Sequence, residues 1–408
     1  MSLQIATSPA KAHVLQKHDD DVVIVSAVRS AITKGRKGGF KDTNPEVILS
    51  HVLRAVYDRV RLDPKLIEDI SVGNVLPPGG GANAARMAAL YAGIPNTTSI
   101  NTVNRQCSSG LTAVNQIANE IRAGQIDIGI GAGVESMTKG YGAGAMPQVA
   151  DELLQNQEAE DCLLPMGITS ENVAKDFGIT RETQDKFAVS SFQKAAAALK
   201  AGKFRDEIIP IKTKIIDPKT ENEVEIIVDL DDGIRDGVTF ESLAKLKPAF
   251  AKDGTTHAGN ASQVSDGAGA VLLARRSVAK RLGLPILGKF VAAVVVGVPP
   301  RVMGIGPAFA IPKVLQKIGL SQSDIDFYEI NEAFASQAVY CIEKLKIPYE
   351  KVNIHGGAIA IGHPLGSTGA RQIATGLNIA KQYGHKTFIT SMCVGSGMGM
   401  AAVFVNEQ

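Results

Sequence analysis

Residues 107–130 of the chain read CSSGLTAVNQIANEIRAGQIDIGI, a helix signal followed directly by a strand signal. Apolar side chains recur at helical spacing, at Leu111, Val114, Ala118 and Ile121. Gly124 is of the residue type that commonly ends a helix. Isoleucine then occupies every second position at 126, 128 and 130, which predicts a strand. The stretch therefore predicts a helix that leads into a strand, with Cys107 at the entrance of the helix.

The same order of elements recurs late in the chain. The sequence predicts a strand at Phe327–Ile330, a helix at 332–344, a Gly-rich turn ending at His363-Pro364, a second helix with Ile373, Leu377 and Ile379, and a strand at 388–391. Aligning Cys107 with His363 places one reactive group at the same helix entrance in each half. We therefore predict an internally duplicated α/β protein with helices covering its sheets.

Residues 136–255, between the two similar stretches, differ in character. They contain a Gly-rich loop at 140–144, helical segments near 171–176 and 181–200, and a predicted hairpin that pairs 207–216 with 223–228. We expect this segment to be an inserted lid. Residues 1–21, which precede the first predicted strand, are polar and lack a periodic apolar pattern. They therefore predict a flexible tail.

Composition excludes several classes of protein. The 408 residues are 45% hydrophobic and 21% charged, which is ordinary for a globular chain and too apolar for a disordered one. A net charge of +2 leaves no electrostatic surplus for nucleic acid. No apolar run is long enough for a membrane span, and the first 25 residues lack the apolar middle of a secretory signal. The four cysteines form no C-x-x-C pair, so a zinc finger is not indicated.

Two residues at helix entrances are candidates for acid-base and nucleophilic chemistry. A thiol at a helix N-terminus gains from the partial positive charge there, so Cys107 is expected to have a lowered pKa and to act as a nucleophile. A small packing cysteine is an equally good interpretation of its position. His363 precedes Pro364, which suits the first helical position, and a neutral imidazole there can serve as a general base or simply cap the helix. His355 and His385 lack such a setting and are expected at the surface.

A second pair of candidates follows predicted strands. Cys393 precedes a turn with glycine at 395, 397 and 399, and such a turn can bring backbone N–H groups close to an oxyanion. The glycine pattern is not a dinucleotide fingerprint, because no strand-turn-helix surrounds it. Asn331 lies between a strand and a helix, where its amide can hold a water or act as an N-cap.

Taken together, these segments resemble the thiolase family over about residues 22–404. The segments that carry the resemblance are NRQCSSGL at 104–111, GVESM at 133–137, AGNAS at 258–262, NEAFA at 331–335, GHPLG at 362–366 and CVGSG at 393–397. Within the family, PMGITSEN at 165–172 and the hairpin look most like the peroxisomal 3-ketoacyl-CoA thiolases of eukaryotes. Pro165 stands where biosynthetic acetoacetyl-CoA thiolases often have a histidine, which favours the degradative class.

The resemblance implies a fold of two duplicated α/β halves stacked as αβαβα layers with an inserted loop domain. The N-terminal half would comprise residues 22–135 plus 256–285, the lid 136–255 and the C-terminal half 286–408, after the tail at 1–21. It also implies a homodimer, or a tetramer formed from two dimers.

The resemblance further implies a role for each candidate. Cys107 would be the nucleophile, deprotonated by His363, and Cys393 would exchange a proton with the leaving and entering groups. Asn331 would hold a water that stabilises an enolate, and the backbone N–H of Gly395 would help to form an oxyanion hole. The acyl and pantetheine channel would be lined by Met166, Phe250, Ala258, Ser262, Ala333 and Phe334. Coenzyme A would be a co-substrate, with no metal and no tightly bound cofactor.

Several alternatives remain at this point. An acetoacetyl-CoA thiolase working in the biosynthetic direction, a condensing enzyme of fatty-acid synthesis and a non-catalytic acyl-CoA-binding relative would share the fold. The resemblance implies a peroxisomal location, but neither end of the chain carries a clear targeting signal, so the cytosol and the mitochondrion stay open. Ser367 departs from peroxisomal relatives, which often have a cysteine there.

Overall fold

The computed structural model describes residues 8–142 and 148–408. Within them the strands are β1 Val22–Arg29, β2 Thr33–Lys34, β3 Asp69–Gly73, β4 Ser99–Val103, β5 Ile128–Ser136, β6 Ile211–Ile216, β7 Glu223–Val228, β8 Ser265–Arg275, β9 Gly288–Gly297, β10 Phe327–Ile330, β11 Thr387–Val394 and β12 Met398–Asn406. The helices are α1 Pro9–Leu15, α2 Pro45–Asp58, α3 Ala82–Tyr91, α4 Ser109–Arg122, α5 Met137–Gly140, α6 Gln157–Asp161, α7 Met166–Phe177, α8 Arg181–Lys200, α9 Phe240–Ala244, α10 Arg276–Arg281, α11 Gly306–Ile318, α12 Ala335–Leu345, α13 Ala358–Ile361 and α14 Thr368–Tyr383. The Gly-rich loop predicted at 140–144 extends into residues that lie outside the described ones.

Two groups of strands have the same topology. The first runs β1-β8-β5-β3-β4, with β3 parallel to β4 and β5 and the other pairs antiparallel. The second runs β9-β12-β11-β10, and a parallel bridge between Tyr328 and Val352 occupies the place that β4 has in the first. Helices α4 and α14 occupy equivalent places in the two halves. The predicted duplication is thus visible in the topology.

Strand alternation creates the layers. On β12, Met400 and Phe404 face the core that contains α4 and α14, whereas Ala401 and Val403 face the core beneath α11 and α12. The first group of strands likewise buries its other face against α2 and α3. Helices α4 and α14 therefore lie between the two groups of strands, each of which is covered on its outer face by helices, and the predicted αβαβα stacking is confirmed. Pairing of β1 with β9 at Val23–Lys289 joins the two groups.

Glycines allow the two central helices to approach closely. A Cβ atom added to Gly369 on α14 would overlap the backbone nitrogen of Leu111 on α4. A Cβ added to Gly110 on α4 would lie 2.6 Å from the carbonyl oxygen of Gly366. The backbones that follow Cys107 and His363 are therefore in direct contact.

The segment between β5 and β8 contains the elements that the sequence predicts for the lid. Helices α7 and α8 and the antiparallel pair β6–β7 are confirmed. The boundaries of the lid and of the two halves stay predictions.

Part of the predicted tail is folded onto the C-terminal half. Helix α1 lies within it, Val14 is buried among side chains of that half, and the hydroxyl of Ser8 donates to Asp324 at 2.7 Å. Lys11 forms an ion pair with Asp326 at 3.1 Å. These contacts explain why residues 8–21 do not form the flexible segment that their polar composition predicts. None of the helices described is long and apolar enough to cross a bilayer.

Candidate active site

The candidate residues meet because of where their strands end. Asn331 directly follows β10, and Cys393 lies at the end of β11, which is parallel to β10. Carboxyl ends of neighbouring parallel strands share one edge of a sheet. Cys107 precedes α4 and His363 precedes α14, and these two helices pack on each other between the sheets.

Cys107 is buried against the loop that follows Cys393. Gly395 in that loop lies against Gln106, the residue before Cys107, since a Cβ atom added to Gly395 would lie 3.5 Å from Cγ of Gln106. Gln106 has a φ of 46°, a left-handed conformation that is rare for a residue with a side chain. Burial raises the pKa of the Cys107 thiol to about 11, which is opposite to the lowered pKa that the helix terminus predicts. Removal of the thiolate from water outweighs the favourable field of the helix.

His363 is buried and held from both ring nitrogens. Its Nδ1 lies 2.6 Å from the Thr368 hydroxyl, and its Nε2 lies 3.3 Å from the amide nitrogen of Asn331. Burial, aided by the positive charge of Arg371, lowers the pKa of His363 to about 3, so the ring is neutral. Pro364 precedes a short 3-10 turn, Leu365–Ser367, rather than starting α14 as predicted.

The side-chain oxygen of Asn331 is buried and has no hydrogen-bond partner among the described residues. A buried amide oxygen is normally satisfied, and a water molecule is the usual partner where protein groups are absent. This atom therefore suits the predicted water on Asn331.

Cys393 lies in a small apolar cluster with Met303, Ala333 and Phe334, and Met166 and Ala261 pack against this cluster. Burial raises the pKa of the Cys393 thiol well above its usual value, and negative charge on Cys107 would raise it further. Both thiols are therefore protonated in the resting site.

The predicted channel residues divide into an inner and an outer group. Ala333 and Phe334 are buried beside Cys393, and the backbone N–H of Ser262 donates to the Ala333 carbonyl at 2.9 Å. The rings of Phe250 and Phe334 pack edge to face, with their centroids 6.5 Å apart. Phe250 is 41% exposed. Ala258 is exposed and does not line the buried part of the site.

Sequence reasoning missed three buried polar residues around the site. Thr368 contacts His363, and Glu135 accepts hydrogen bonds from the backbone N–H groups of Leu76 and Gly366 at 3.1 and 3.0 Å. Glu332 accepts from Ser191 at 2.6 Å and from Asn353 at 2.7 Å. A carboxylate at the end of a buried strand was the available signal for Glu135, because such a group needs partners.

His355 is buried rather than at the surface, and burial lowers its pKa to about 4. Its ring packs on Phe204, which the local sequence around His355 does not indicate. Across residues 8–142 and 148–408, no group of three His, Cys, Asp or Glu side chains is arranged to hold a metal ion.

The duplicated α/β fold, with His363 and Asn331 in contact and two buried thiols at Cys107 and Cys393, is that of an acyltransferase. Residues 22–277 match the model of the thiolase N-terminal domain, and residues 284–406 match that of the thiolase C-terminal domain. The chain belongs to the thiolase family.

Individual relatives are similar over their full length. The chain is 57% identical to the peroxisomal 3-ketoacyl-CoA thiolase of Yarrowia lipolytica, covering 100% of this chain and 99% of that one. It superposes on the dimeric peroxisomal thiolase of Saccharomyces cerevisiae with a TM-score of 0.90 and 53% identity, covering 97% of this chain and 100% of that one. The structure of an acetyl-CoA acetyltransferase of Bacillus anthracis superposes with a TM-score of 0.86 at 36% identity. The superposition covers 95% of this chain and 98% of that one.

Proposed function

We propose that the protein cleaves 3-ketoacyl-CoA with coenzyme A, giving acetyl-CoA and an acyl-CoA shortened by two carbons. The observation that carries the proposal is that the helix entrances with Cys107 and His363 are in direct backbone contact, while Nε2 of His363 lies 3.3 Å from the Asn331 amide nitrogen. Similarity to relatives named 3-ketoacyl-CoA thiolases supports the substrate class.

In the first half-reaction the Cys107 sulfur attacks the 3-keto carbon and its proton passes to Nε2 of His363. The bond between C2 and C3 then breaks, which leaves the acyl group on sulfur and the enolate of acetyl-CoA. His363 and a water on Asn331 stabilise the enolate oxygen, and Cys393 donates its proton to C2. Acetyl-CoA leaves, and Cys393 is now a thiolate.

In the second half-reaction the Cys393 thiolate takes the proton of the entering coenzyme A thiol. The resulting thiolate attacks the acyl group on Cys107, and the oxyanion lies between the backbone N–H groups of Cys107 and Gly395. Collapse releases the shortened acyl-CoA, and the imidazolium of His363 returns its proton to Cys107. All protons are restored, and the covalent intermediate has split one difficult cleavage into two easier steps.

The apolar cluster around Cys393 gives the acyl chain a place to bind. Met166, Ala333 and Phe334 form its inner wall, while Phe250, Ser262 and Ala258 lie further out and contact the pantetheine arm. Coenzyme A is a co-substrate, and no metal or tightly bound cofactor takes part.

The protein works as a homodimer in the peroxisome. The relatives with which it shares over half of its residues are named peroxisomal, and the yeast structure is of a dimeric thiolase.

The test follows the acyl group. Protein mixed with acetyl-CoA should gain the mass of an acetyl group on the peptide containing Cys107. The Cys107→Ala variant should not gain this mass, and its rate of thiolysis should be at least about a thousandfold lower. Cys162→Ser, at an exposed thiol, is the matched control and should keep both. Addition of 3-ketooctanoyl-CoA and coenzyme A should yield hexanoyl-CoA and acetyl-CoA. Cleavage of acetoacetyl-CoA alone would favour the biosynthetic alternative, and no acetylation at all would leave a binding protein.

A further inference from the structure

Thr368, the first residue of α14, connects His363 to the backbone. Its hydroxyl lies 2.6 Å from Nδ1 of His363 and donates a hydrogen bond to the carbonyl oxygen of Pro364 at 3.2 Å. Thr368 and His363 are both buried. No step of the proposed reaction uses this threonine.

A hydroxyl has one proton and two lone pairs. Because the proton of Thr368 is directed to Pro364, the hydroxyl oxygen accepts from Nδ1, and Nδ1 must therefore carry the ring proton. On the other side of the ring, the amide N–H of Asn331 is directed at Nε2, which makes Nε2 an acceptor. The two contacts independently favour the same neutral tautomer, the one with its lone pair on Nε2.

We propose that Thr368 is a positioning residue that holds His363 in the tautomer able to take a proton at Nε2. This inference rests on the proposed function, since it matters only if His363 accepts the Cys107 proton. The position of Thr368 makes it suitable for the role. It begins a helix that contacts α4 through Gly369, so the hydroxyl is fixed relative to Cys107 as well as to the imidazole.

The test compares three variants. Thr368→Val keeps the shape of the side chain but cannot accept a hydrogen bond. It should lower kcat by at least about tenfold, because the loss of one buried hydrogen bond changes a rate by about that factor. The KM for coenzyme A should change little. Thr368→Ser keeps the hydroxyl and should stay near the wild-type rate. Thr375→Val removes another buried hydroxyl of the same helix, one that donates to Glu207, and should leave kcat unchanged while costing similar stability.

Measurement of the His363 tautomer distinguishes a positioning role of Thr368 from a purely structural one, and it does not depend on which reaction the protein catalyses. Protein labelled with ¹⁵N in its histidines should give, for His363, a protonated Nδ1 and an unprotonated Nε2 in the wild type and in Thr368→Ser. Thr368→Val should shift this pattern toward the other tautomer. A wild-type ring protonated on Nε2 would overturn the proposal, as would a Thr368→Val variant with the wild-type kcat. An inactive wild type with the expected tautomer would instead contradict the proposed function alone.

Discussion

The proposed nucleophile, Cys107, and its proposed base, His363, are both uncharged in the resting site. Burial raises the pKa of Cys107 to about 11 and, with Arg371, lowers that of His363 to about 3. At neutral pH the thiol keeps its proton, and the imidazole is neutral with a single ring proton. The proton must therefore move during the attack on the substrate rather than before it, and no ion pair has to be desolvated when the substrate enters.

This arrangement predicts how an alkylating reagent reacts with Cys107. Only the thiolate is nucleophilic, and its fraction rises about tenfold per pH unit below the pKa. Alkylation of Cys107 by iodoacetamide should therefore increase steadily by about that factor between about pH 6 and pH 9. The measurement is peptide-resolved mass spectrometry, with the exposed thiol of Cys162 as the internal control. A rate at Cys107 that levels off near neutral pH would reveal a thiolate-imidazolium pair and contradict the prediction.

At this scale the sequence predicts which residues come together but not their electrostatics. Cys107, His363, Asn331 and Cys393 are candidates because each lies at a strand end or a helix entrance, and the resemblance to the thiolase family is what joins them into one site. The direction of the Cys107 pKa could not be predicted, since a helix terminus contributes about 0.3–1 kcal/mol. Full burial shifts a pKa by up to about 3–5 units, and the sequence does not show how deeply a thiol is buried. Thr368 was missed for a similar reason, because its role depends on where a side chain points.

At the scale of elements, the contact between α4 and α14 sets the distance between the segments that carry Cys107 and His363, the proposed nucleophile and base. Both helices have a glycine where the other backbone approaches, at Gly110 and Gly369. Any side chain here would push apart the two segments that carry Cys107 and His363. The duplication of the fold therefore has a chemical consequence, since it brings two equivalent helix entrances to one place.

Gly369→Ala should consequently damage catalysis more than folding. The added methyl overlaps the backbone of Leu111 and should cost about 1–3 kcal/mol of unfolding free energy. A displacement of about 1 Å at the reacting groups can cost on the order of 100-fold in rate. We expect such a fall in kcat in protein that still unfolds cooperatively, measured by thiolysis assay and urea denaturation.

Gly297→Ala is the control, because an added Cβ there has open space around it. Equal rates for Gly369→Ala and the wild type would show that the helix contact does not set the geometry of the site.

Elements with strong periodicity are the ones that the sequence predicts well. The predictions of helices α4 and α8 and of the β6–β7 pair are confirmed. Each of these elements contains a periodic pattern of apolar residues that is long enough to predict its type. Helix α1 has only seven residues and one buried side chain, so its sequence has no such pattern. Its stability comes from contacts with Asp324 and Asp326, more than 300 positions away in the chain.

On the scale of the whole molecule, no strand within residues 8–142 and 148–408 pairs with the outer edge at one end of the sheet. Strand β4 is the last strand of the first group, and its outer edge presents backbone groups that another strand could pair with. Next to it, α3 exposes Met87 at 66% and Tyr91 at 73%, together with Leu90. Large apolar side chains clustered beside a free strand edge are typical of an interface between subunits. This face is therefore where we expect the proposed homodimer to form.

Charged residues on this face should separate the subunits. The double variant Met87→Lys, Tyr91→Glu places two ionic groups where the dimer would bury apolar area, and burial of an unpaired charge costs several kcal/mol. We expect it to sediment as a monomer at concentrations where the wild type is a dimer. Phe309→Lys, on helix α11 of the other half and also exposed, is the control and should remain dimeric. If Phe309→Lys dissociates and the double variant does not, the dimer uses the C-terminal half instead, and the open edge of β4 needs another explanation.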